Sequence, residues 1–548
     1  MAKVRLALAQ TNPLVGNIDG NLADCLNVVI DAAKSGANMV LFGEMVATGY
    51  PIEDLATRKS FVAEAETAVH RLAADLLANN LGHVAVIIGH PSLIEDQSKA
   101  WAIAQNSASV LLGGKVIGRY AKHHLPNYSV FDEYRIFVPG KDLLTFEFEG
   151  IKFATLICED IWQSGGPVAQ LQTSNADVCL VLNGSPFEVD KTDKRAELVQ
   201  NLAKSNNCAV AYVNLVGGQD DLVFDGDSIF VNAEGETIAR AAQFASDVAL
   251  VDIDSKTECR SANQASKEQL EGQVWSALVL GLRDYVSKNG FKSVVLGLSG
   301  GIDSAVCATI AADAIGAENV FGVSMPSRYS SDHSRSDADD LAERLGVHLR
   351  TEPIEAMVSA FETQLGFDGL AAENLQARMR GAILMGLSNA EGHLTLTTGN
   401  KTELAVGYST IYGDSVGGFA PIKDVEKTLV WELAKWRNAQ ATDLGLVAPI
   451  PENSISKPPS AELRPDQTDQ DSLPDYELLD DLLDAYIEKR LSREEIIAQG
   501  FDAATVDRII HLVSISEWKR RQGAIGPKIT GMAYGRDRRM PITNGYKR

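Results

Sequence analysis

Three apolar runs in the first half of the chain end in side chains that could work together. Cys158 follows Lys152-Phe-Ala-Thr-Leu-Ile157 and precedes Glu159-Asp160-Ile161-Trp162. Leu41-Phe-Gly-Glu44 closes a second run with a carboxylate, and Gly118-Arg-Tyr-Ala-Lys122 closes a third with an ammonium. A cysteine after a strand, taken alone, is more often a buried structural thiol. Beside a carboxylate and an ammonium it becomes a nucleophile with a general base and an electrostatic stabiliser, the set that acyl transfer needs. Such neighbours are required because a free thiol, with a pKa of about 8.5, is mostly protonated at neutral pH.

The second half holds a different constellation. Leu296-Gly-Leu-Ser-Gly-Gly-Ile-Asp-Ser304 is a glycine turn between an apolar run and a helical pattern. Gly300 and Gly301 let the backbone approach an anion, and the helix start behind them offers unpaired N–H groups. Ser299 and Ser304 add hydroxyls, and Asp303 is placed to hold Mg²⁺ beside phosphates. No G-x-x-x-x-G-K-[ST] occurs, which excludes a Walker-type phosphate loop.

The elements that must position these groups alternate from the start. Strand patterns at Val4 to Ala9, Met39 to Phe42 and Val84 to Gly89 are separated by helical patterns at Asn21 to Ser35 and Ser60 to Asn79. Further strands are predicted at 102–112, 115–120, 152–157, 178–183, 209–215, 228–231 and 249–253. Around Ser255 to Gly272 the apolar period lapses. We therefore place a first domain at 1–255, a linker at 256–272 and a second domain at 273–548. The second opens with helix, strand, glycine turn, helix and strand between Glu271 and Met325, a parallel βαβ unit.

Composition bounds the function classes. With 548 residues, 45% hydrophobic and 22% charged, the chain can bury several cores. Its net charge of −23 argues against non-specific binding to nucleic acid or to an anionic membrane. The N-terminal apolar run is too short for a signal peptide, so the cytoplasm is the default compartment. Six scattered cysteines without a C-x-x-C pair fit neither a disulfide framework nor a zinc site. The charge is polarised: 461–490 holds ten acidic against three basic residues, and 519–548 nine basic against one acidic. A solvated face is expected for the acidic run, and cations presented to nucleotide phosphates for the basic one.

Residues 1 to about 255 resemble the nitrilase (carbon–nitrogen hydrolase) superfamily, whose Glu-Lys-Cys triad falls on Glu44, Lys122 and Cys158. The resemblance implies an α-β-β-α sandwich and a supporting second glutamate at Glu133. Cys158-Glu-Asp-Ile-Trp162 is similar to the glutamine amidase branch, which implies glutamine contacts from Tyr128, Ser185 and Lys191. Ser299-Gly-Gly-Ile-Asp-Ser304 resembles the PP-loop of ATP pyrophosphatases, Rossmann-like parallel-sheet domains that cleave ATP between the α and β phosphates and adenylate a substrate. ATP contacts are thereby expected at Gly297, Leu298, Ser299, Gly300, Gly301, Ile302, Asp303 and Ser304. GMP, asparagine and argininosuccinate synthetases share that loop, so it leaves the acceptor open.

The acceptor is indicated by Thr397-Thr-Gly-Asn-Lys-Thr-Glu403 and the residues up to Asp414, by Asn374-Leu-Gln-Ala-Arg-Met-Arg380 and by Glu517-Trp-Lys519-Arg-Arg-Gln522. These runs resemble NAD synthetases. Carried over by position, Thr398 contacts ATP, Glu403 binds Mg²⁺ with Asp303 and lies near deamido-NAD, and Asn374 and Lys519 bind deamido-NAD. Pro326 to Ser331 resembles that family's mobile loop. The whole chain therefore resembles the glutamine-dependent NAD synthetase family. That implies glutamine, ATP and deamido-NAD as substrates, Mg²⁺ but no tightly bound organic cofactor, an interior route for ammonia, and a homo-oligomer. Two other readings are a glutamine-fed PP-loop ligase acting on a purine nucleotide and a catalytically silent nucleotide-binding regulator. The complete triad and loop speak against the silent regulator, since binding needs neither a nucleophile nor a metal carboxylate.

Overall fold

The computed structural model describes residues 3–94, 102–465 and 467–546. Met1 and Ala2 of the N-terminal segment, Asp466 of the acidic run, and Lys547 and Arg548 of the basic run lie outside the described residues. The chain divides into two compact units, Met1–Gln219 with Val223–Glu268, and Asp220–Leu222 with Gln269–Arg548.

The first unit is built on strands β1 (Val4–Gln10), β2 (Met39–Phe42), β3 (Ala85–Leu93), β4 (Ala104–Leu112), β5 (Lys115–Ala121), β6 (Leu144–Phe148), β7 (Ile151–Ile157), β8 (Val178–Asn183) and β9 (Ala209–Asn214). The short strands β10 (Val216–Gln219), β11 (Leu222–Asp225), β12 (Ile229–Val231), β13 (Thr237–Arg240), β14 (Asp247–Ile253) and β15 (Cys259–Arg260) follow. Among the described residues one sheet runs β15-β14-β1-β2-β3-β4-β5 and the other β13-β12-β9-β8-β7-β6. Each has a parallel three-stranded centre, β1-β2-β3 and β7-β8-β9, flanked by antiparallel strands.

Period-two side chains join the sheets. Val4, Leu6 and Leu8 of β1, with Leu41 and Ile87, share one buried cluster with Phe153, Leu180 and Phe230 of the second sheet. Burying each large side chain contributes about 1.5–3 kcal/mol, which fixes the register; a one-residue slip of β2 would turn Leu41 out of the cluster and misplace Glu44 with it. The helix Lys59–Ala78 packs on β3, and Gly166–Ser174 and Lys191–Asn206 lie against β7 and β9. This is the α-β-β-α sandwich that the resemblance implies. The polar stretch 256–272 contributes β15, paired with β14, before the helix Leu270–Lys288 begins. The sequence reading passes over β6, which forms a hairpin with β7 through Glu149 and Gly150 at positive φ.

The second unit carries an all-parallel sheet of β16 (Val294–Gly297), β17 (Val320–Ser324), β18 (His348–Thr351) and β19 (Leu394–Thr395), in the order β18-β17-β16-β19. The order reverses between β16 and β19, and the crevice beyond the strand ends at such a reversal is where open α/β sheets bind ligands. The helix Gly369–Glu391 covers one face through Leu375 and Leu384, which meet Val295 and Val323.

The charged runs meet expectation only in part: Asp471, Asp475, Glu477 and Asp481 of the acidic run are exposed, whereas other members are internal. Tyr476, Leu479, Leu482 and Leu483 of the acidic run are core residues, packed with the helix Ala503–Ile515. Asp480 accepts from Thr402 and Thr428, and Asp469 from the Tyr476 hydroxyl at 2.8 Å, so these carboxylates are internal rather than a solvated face. In the basic run, Arg520 is buried, donating to the Ala405 and Val513 carbonyls, and the Lys528 ammonium bonds the Thr530 carbonyl. Among the described residues of that run, only Lys519 lines the crevice described below. Among the described residues no helix is long and apolar enough to cross a membrane.

Candidate active site

Glu44, Lys122 and Cys158 come together in the first unit. Glu44 follows β2, and its N–H donates to the Asn183 carbonyl at the end of β8 at 3.2 Å, which carries the carboxylate across to the second sheet. Close approach requires Gly89 next to it, because a Cβ there would lie 2.4 Å from the Met45 nitrogen. Cys158 follows β7 at φ +45° and opens a short 3₁₀ turn, Cys158–Ile161. An L-residue in that region is uncommon and signals a side chain held by its surroundings.

The Lys122 ammonium, buried to 1% exposure, donates to Glu44 Oε1 at 2.8 Å and Glu133 Oε1 at 3.0 Å. An ammonium has three N–H donors, so one remains for a substrate oxygen. Burial disfavours its charge, yet Glu133 and Glu44 outweigh that and hold the Lys122 pKa well above its usual range. It is a fixed positive charge, not an acid. Burial raises the Glu133 carboxyl above the usual range, with Lys122 opposing and Glu44 adding. Burial also pushes the Cys158 thiol up, and Glu44 is the charge that acts on it most strongly. The resting nucleophile is therefore a neutral thiol, and attack needs a base.

Sequence reasoning missed three partners of this cluster. Asn106 of β4 donates to Glu44 Oε1 at 2.6 Å, the Gly184 N–H to Glu44 Oε2 at 2.9 Å, and the Tyr50 hydroxyl to Glu133 Oε1 at 2.8 Å. Asn106 gives no signal in the sequence, because its strand also carries Gln105, Ser107 and Ser109. Of the expected glutamine contacts, Tyr128 is half exposed and donates to Glu159 Oε2 at 2.8 Å, beside Cys158. Ser185 is buried, its N–H and carbonyl both bonded to the Asn214 amide. Lys191 opens the helix Lys191–Asn206 and pairs with Glu188 at 3.5 Å.

In the second unit a cavity of about 510 Å³ lies beyond the ends of β16, β17 and β19. The expected ATP residues, Thr398 included, line it, with the exception of Gly300; Asn374, Glu403 and Lys519 line it too. Gly300 instead has φ +76°, and a Cβ would lie 2.4 Å from the Ser334 carbonyl oxygen. The tight turn there requires glycine, and the Gly301 N–H beside it bonds the Ser299 hydroxyl at 3.2 Å. Asn400 draws the two acidic residues together. Its side chain donates to Asp303 at 2.9 Å and accepts the Glu403 N–H at 2.9 Å, capping the helix Lys401–Val406, while the Glu403 carboxylate reaches back to its N–H. Asn374 accepts from the Thr410 hydroxyl at 2.7 Å, and the Lys519 ammonium holds the Gly407 and Ser409 carbonyls at 2.8 Å.

Lys427 is the residue here that the sequence did not announce. Its ammonium, 1% exposed, pairs with Asp303 and lies 3.4 Å from Glu403 Oε1, over the Trp431 and Tyr476 rings. Burial first, then the Asp303 charge, raise the Glu403 carboxyl, with Lys427 opposing and Asp469 adding. Three carboxylates thus face one ammonium. That shortage of positive charge, and the hard oxygen donors of Asp303 and Glu403, fit Mg²⁺, which takes one or two carboxylates and completes its shell with substrate phosphates and water. Among the described residues no group of three His, Cys, Asp or Glu could hold a metal by itself. Arg335, Arg380 and Lys457 add further positive charge to the cavity wall.

A carbon–nitrogen hydrolase family model matches residues 5–262, and an NAD synthase family model matches residues 274–523. The chain is 46% identical to the glutamine-dependent NAD(+) synthetase of Acinetobacter baylyi over 554 residues, covering 100% of this chain and 99% of that one. It is 43% identical to the glutamine-dependent NAD(+) synthetase of Thermotoga maritima over 589 residues, covering 100% of both. Among solved structures it resembles the glutamine-dependent NAD+ synthetase from Acinetobacter baumannii in complex with ADP, with a TM-score of 0.78 and 43% identity over 99% of each chain. The glutamine-dependent NAD(+) synthetase from Cytophaga hutchinsonii, 23% identical, shares the fold with a TM-score of 0.81 over 99% of this chain and 98% of that one. The chain belongs to the glutamine-dependent NAD(+) synthetase family.

Proposed function

We propose that this protein hydrolyses glutamine at Cys158 and uses the ammonia to amidate deamido-NAD to NAD at the expense of ATP, releasing AMP, pyrophosphate and glutamate. The observation that carries the reading is the presence in one chain of the buried Glu44–Lys122–Cys158 cluster and of the phosphate-loop cavity with its acidic pair.

In the glutaminase step the neutral thiol gives its proton to Glu44 as sulfur attacks the amide carbon. The free Lys122 N–H and its fixed charge stabilise the tetrahedral oxyanion. Glu133, with Tyr50 behind it, orients Lys122 by taking a second of its N–H donors. Glu44 then protonates the departing ammonia, and water, with Glu44 again as base, cleaves the glutamyl thioester. Tyr128, Ser185 and Lys191 are proposed to hold the glutamine; the two hydrogen bonds between the Ser185 backbone and the Asn214 amide support a fixed position for that residue.

In the second site a nicotinate carboxylate oxygen attacks the α-phosphorus of ATP. The bond to the α–β bridging oxygen breaks and pyrophosphate leaves. Ammonia then attacks the acyl carbon and expels AMP. The chain's cations, Lys427, Lys457, Arg335 and Arg380, surround the cavity in which charge moves, and Lys519 and Asn374 are proposed contacts of deamido-NAD. Asp303 and Glu403 are the residues that would hold Mg²⁺, which when bound neutralises charge on the phosphates.

The test is a single assay with glutamine, ATP and deamido-NAD. NAD, AMP and pyrophosphate are expected in equal amounts, and ADP with orthophosphate as primary products would overturn the reading. The runner-up, amidation of a purine nucleotide, is tested in the same assay by offering xanthine nucleotides in place of deamido-NAD, for which no product is expected.

A further inference from the structure

We infer that Asp160 is a positioning residue of the glutaminase reaction, its buried carboxylate clamping the segment that carries Lys122 to the segment that carries Cys158. This rests on the reading of Cys158 as nucleophile with Lys122 as its partner, and extends it to a residue that touches neither substrate nor reacting atoms.

Asp160 is fully buried and accepts four hydrogen bonds. Oδ1 takes the His123 N–H at 3.1 Å and the His124 N–H at 2.9 Å. Oδ2 takes the Ile157 N–H at 3.0 Å and the Tyr120 hydroxyl at 2.7 Å. Lys122 lies between Tyr120 and His123, and Cys158 directly follows Ile157. One carboxylate thus brackets both catalytic residues along the chain, and bonds to an ionised acceptor are shorter and stronger than neutral ones.

The bracket matters because both residues are poised. Cys158 sits at φ +45°, a conformation that relaxes unless its turn is held, and the Ile157 bond closes that turn. Lys122 divides two N–H donors between Glu44 and Glu133 and must aim the third at the substrate. A displacement of about 1 Å in such a constellation costs on the order of 10²-fold in rate. Asp160→Asn keeps the shape and the Oδ1 bonds, but turns an amide NH₂ toward two donors. Tyr120→Phe removes one bond and nothing else.

The experiment compares full-length wild type, Cys158→Ala, Asp160→Asn and Tyr120→Phe. Glutamine-supported and ammonia-supported turnover are measured, with iodoacetamide labelling followed by mass as a function of pH. For Asp160→Asn the glutamine-supported kcat should fall by on the order of 10²-fold, with KM for glutamine near wild type and ammonia-supported turnover unchanged. Tyr120→Phe should fall roughly 3- to 10-fold, the effect of one net hydrogen bond. Labelling should stay confined to Cys158 but slow down and shift to higher pH. Lys122 is then no longer held beside the thiol to favour the thiolate, while the Glu44, Glu133 and Glu159 carboxylates still oppose it. All six cysteines are buried, so a merely structural role would show itself as labelling of the other five beyond the wild-type level. Wild-type kcat and labelling profile in both variants, or loss of activity accompanied by such labelling of the other five cysteines in both, would overturn the clamp. If Asp160→Asn does not fold, Tyr120→Phe decides alone. Glutamine use by Cys158→Ala would instead overturn the underlying assignment of the nucleophile.

Discussion

Cys158→Ala is expected to make no NAD above background from glutamine, ATP and deamido-NAD, yet to make it at close to the wild-type rate when concentrated ammonium salt at mildly alkaline pH replaces glutamine. The first half of the expectation follows from the chemistry. Deleting the nucleophile of a cooperating triad costs on the order of 10⁶-fold in kcat. The second half follows from the division of the chain: Cys158 belongs to the first unit, whereas the phosphate loop, Asp303 and Glu403 belong to the second. Alkaline conditions raise the unprotonated fraction of ammonia, which alone is nucleophilic. Cys158 is a better target than Lys122, because removing the ammonium leaves Glu44 and Glu133 facing each other in a buried site, a change that costs about 3–5 kcal/mol of stability. Glu44→Ala and Lys122→Ala should lose glutamine-supported activity like Cys158→Ala without their losses adding. Steady-state rates with each nitrogen donor check the expectation; a Cys158→Ala enzyme that uses glutamine, or a folded one that fails with ammonia, contradicts it.

Asp303→Ala and Glu403→Ala should each lower NAD formation by on the order of 10²-fold or more with either nitrogen donor, the effect of removing one electrostatic contact from a site of developing charge. The loss should appear in kcat rather than in KM for glutamine, and glutamine hydrolysis should persist. Glu403→Gln separates charge from shape. It keeps the side chain's length and can still reach the Asn400 N–H, but it removes one of the three carboxylates that face Lys427. It should lose nearly as much activity as Glu403→Ala with a smaller fall in Tm, and both should raise the Mg²⁺ concentration needed for half-maximal rate. Unchanged Mg²⁺ dependence in all three variants would remove Asp303 and Glu403 from the metal site. Thermal unfolding and Mg²⁺ titration of the rate measure both effects.

The difference between what the sequence discloses and what it hides is physical. Glu44, Lys122 and Cys158 are legible because each ends an apolar run, where a strand must stop and a side chain can leave the sheet. The Ser299 to Ser304 loop is legible because a glycine pair with hydroxyls between a strand and a helix has little use other than an anion. The parallel β16-β17 pair follows from the same spacing. What the sequence hides is held by long-range contact. Asn106 is 62 residues from Glu44, Tyr50 is 83 from Glu133, and Lys427 is 124 from Asp303, and none of them stands out in its own helix or strand. Gly300 is legible as the glycine of a tight turn, but the Ser334 backbone that leaves no room for a side chain there is not. The acidic and basic runs mislead in part, for a related reason. A charge count does not distinguish a carboxylate in water from Asp480 inside the bundle, or a phosphate-binding cation from Arg520 on buried carbonyls.

The central claim, that the carboxylate of deamido-NAD is activated by attack on the α-phosphorus of ATP and then displaced by ammonia, leaves a label in the products. One turnover forms a bond between a carboxylate oxygen and that phosphorus, and the second step breaks the bond between the same oxygen and the acyl carbon. The measurement is the mass of AMP formed by the wild-type enzyme from glutamine, ATP and deamido-NAD carrying ¹⁸O in its carboxylate. Each AMP is predicted to carry one ¹⁸O; unlabelled AMP, or ¹⁸O found in orthophosphate alongside ADP, would contradict it.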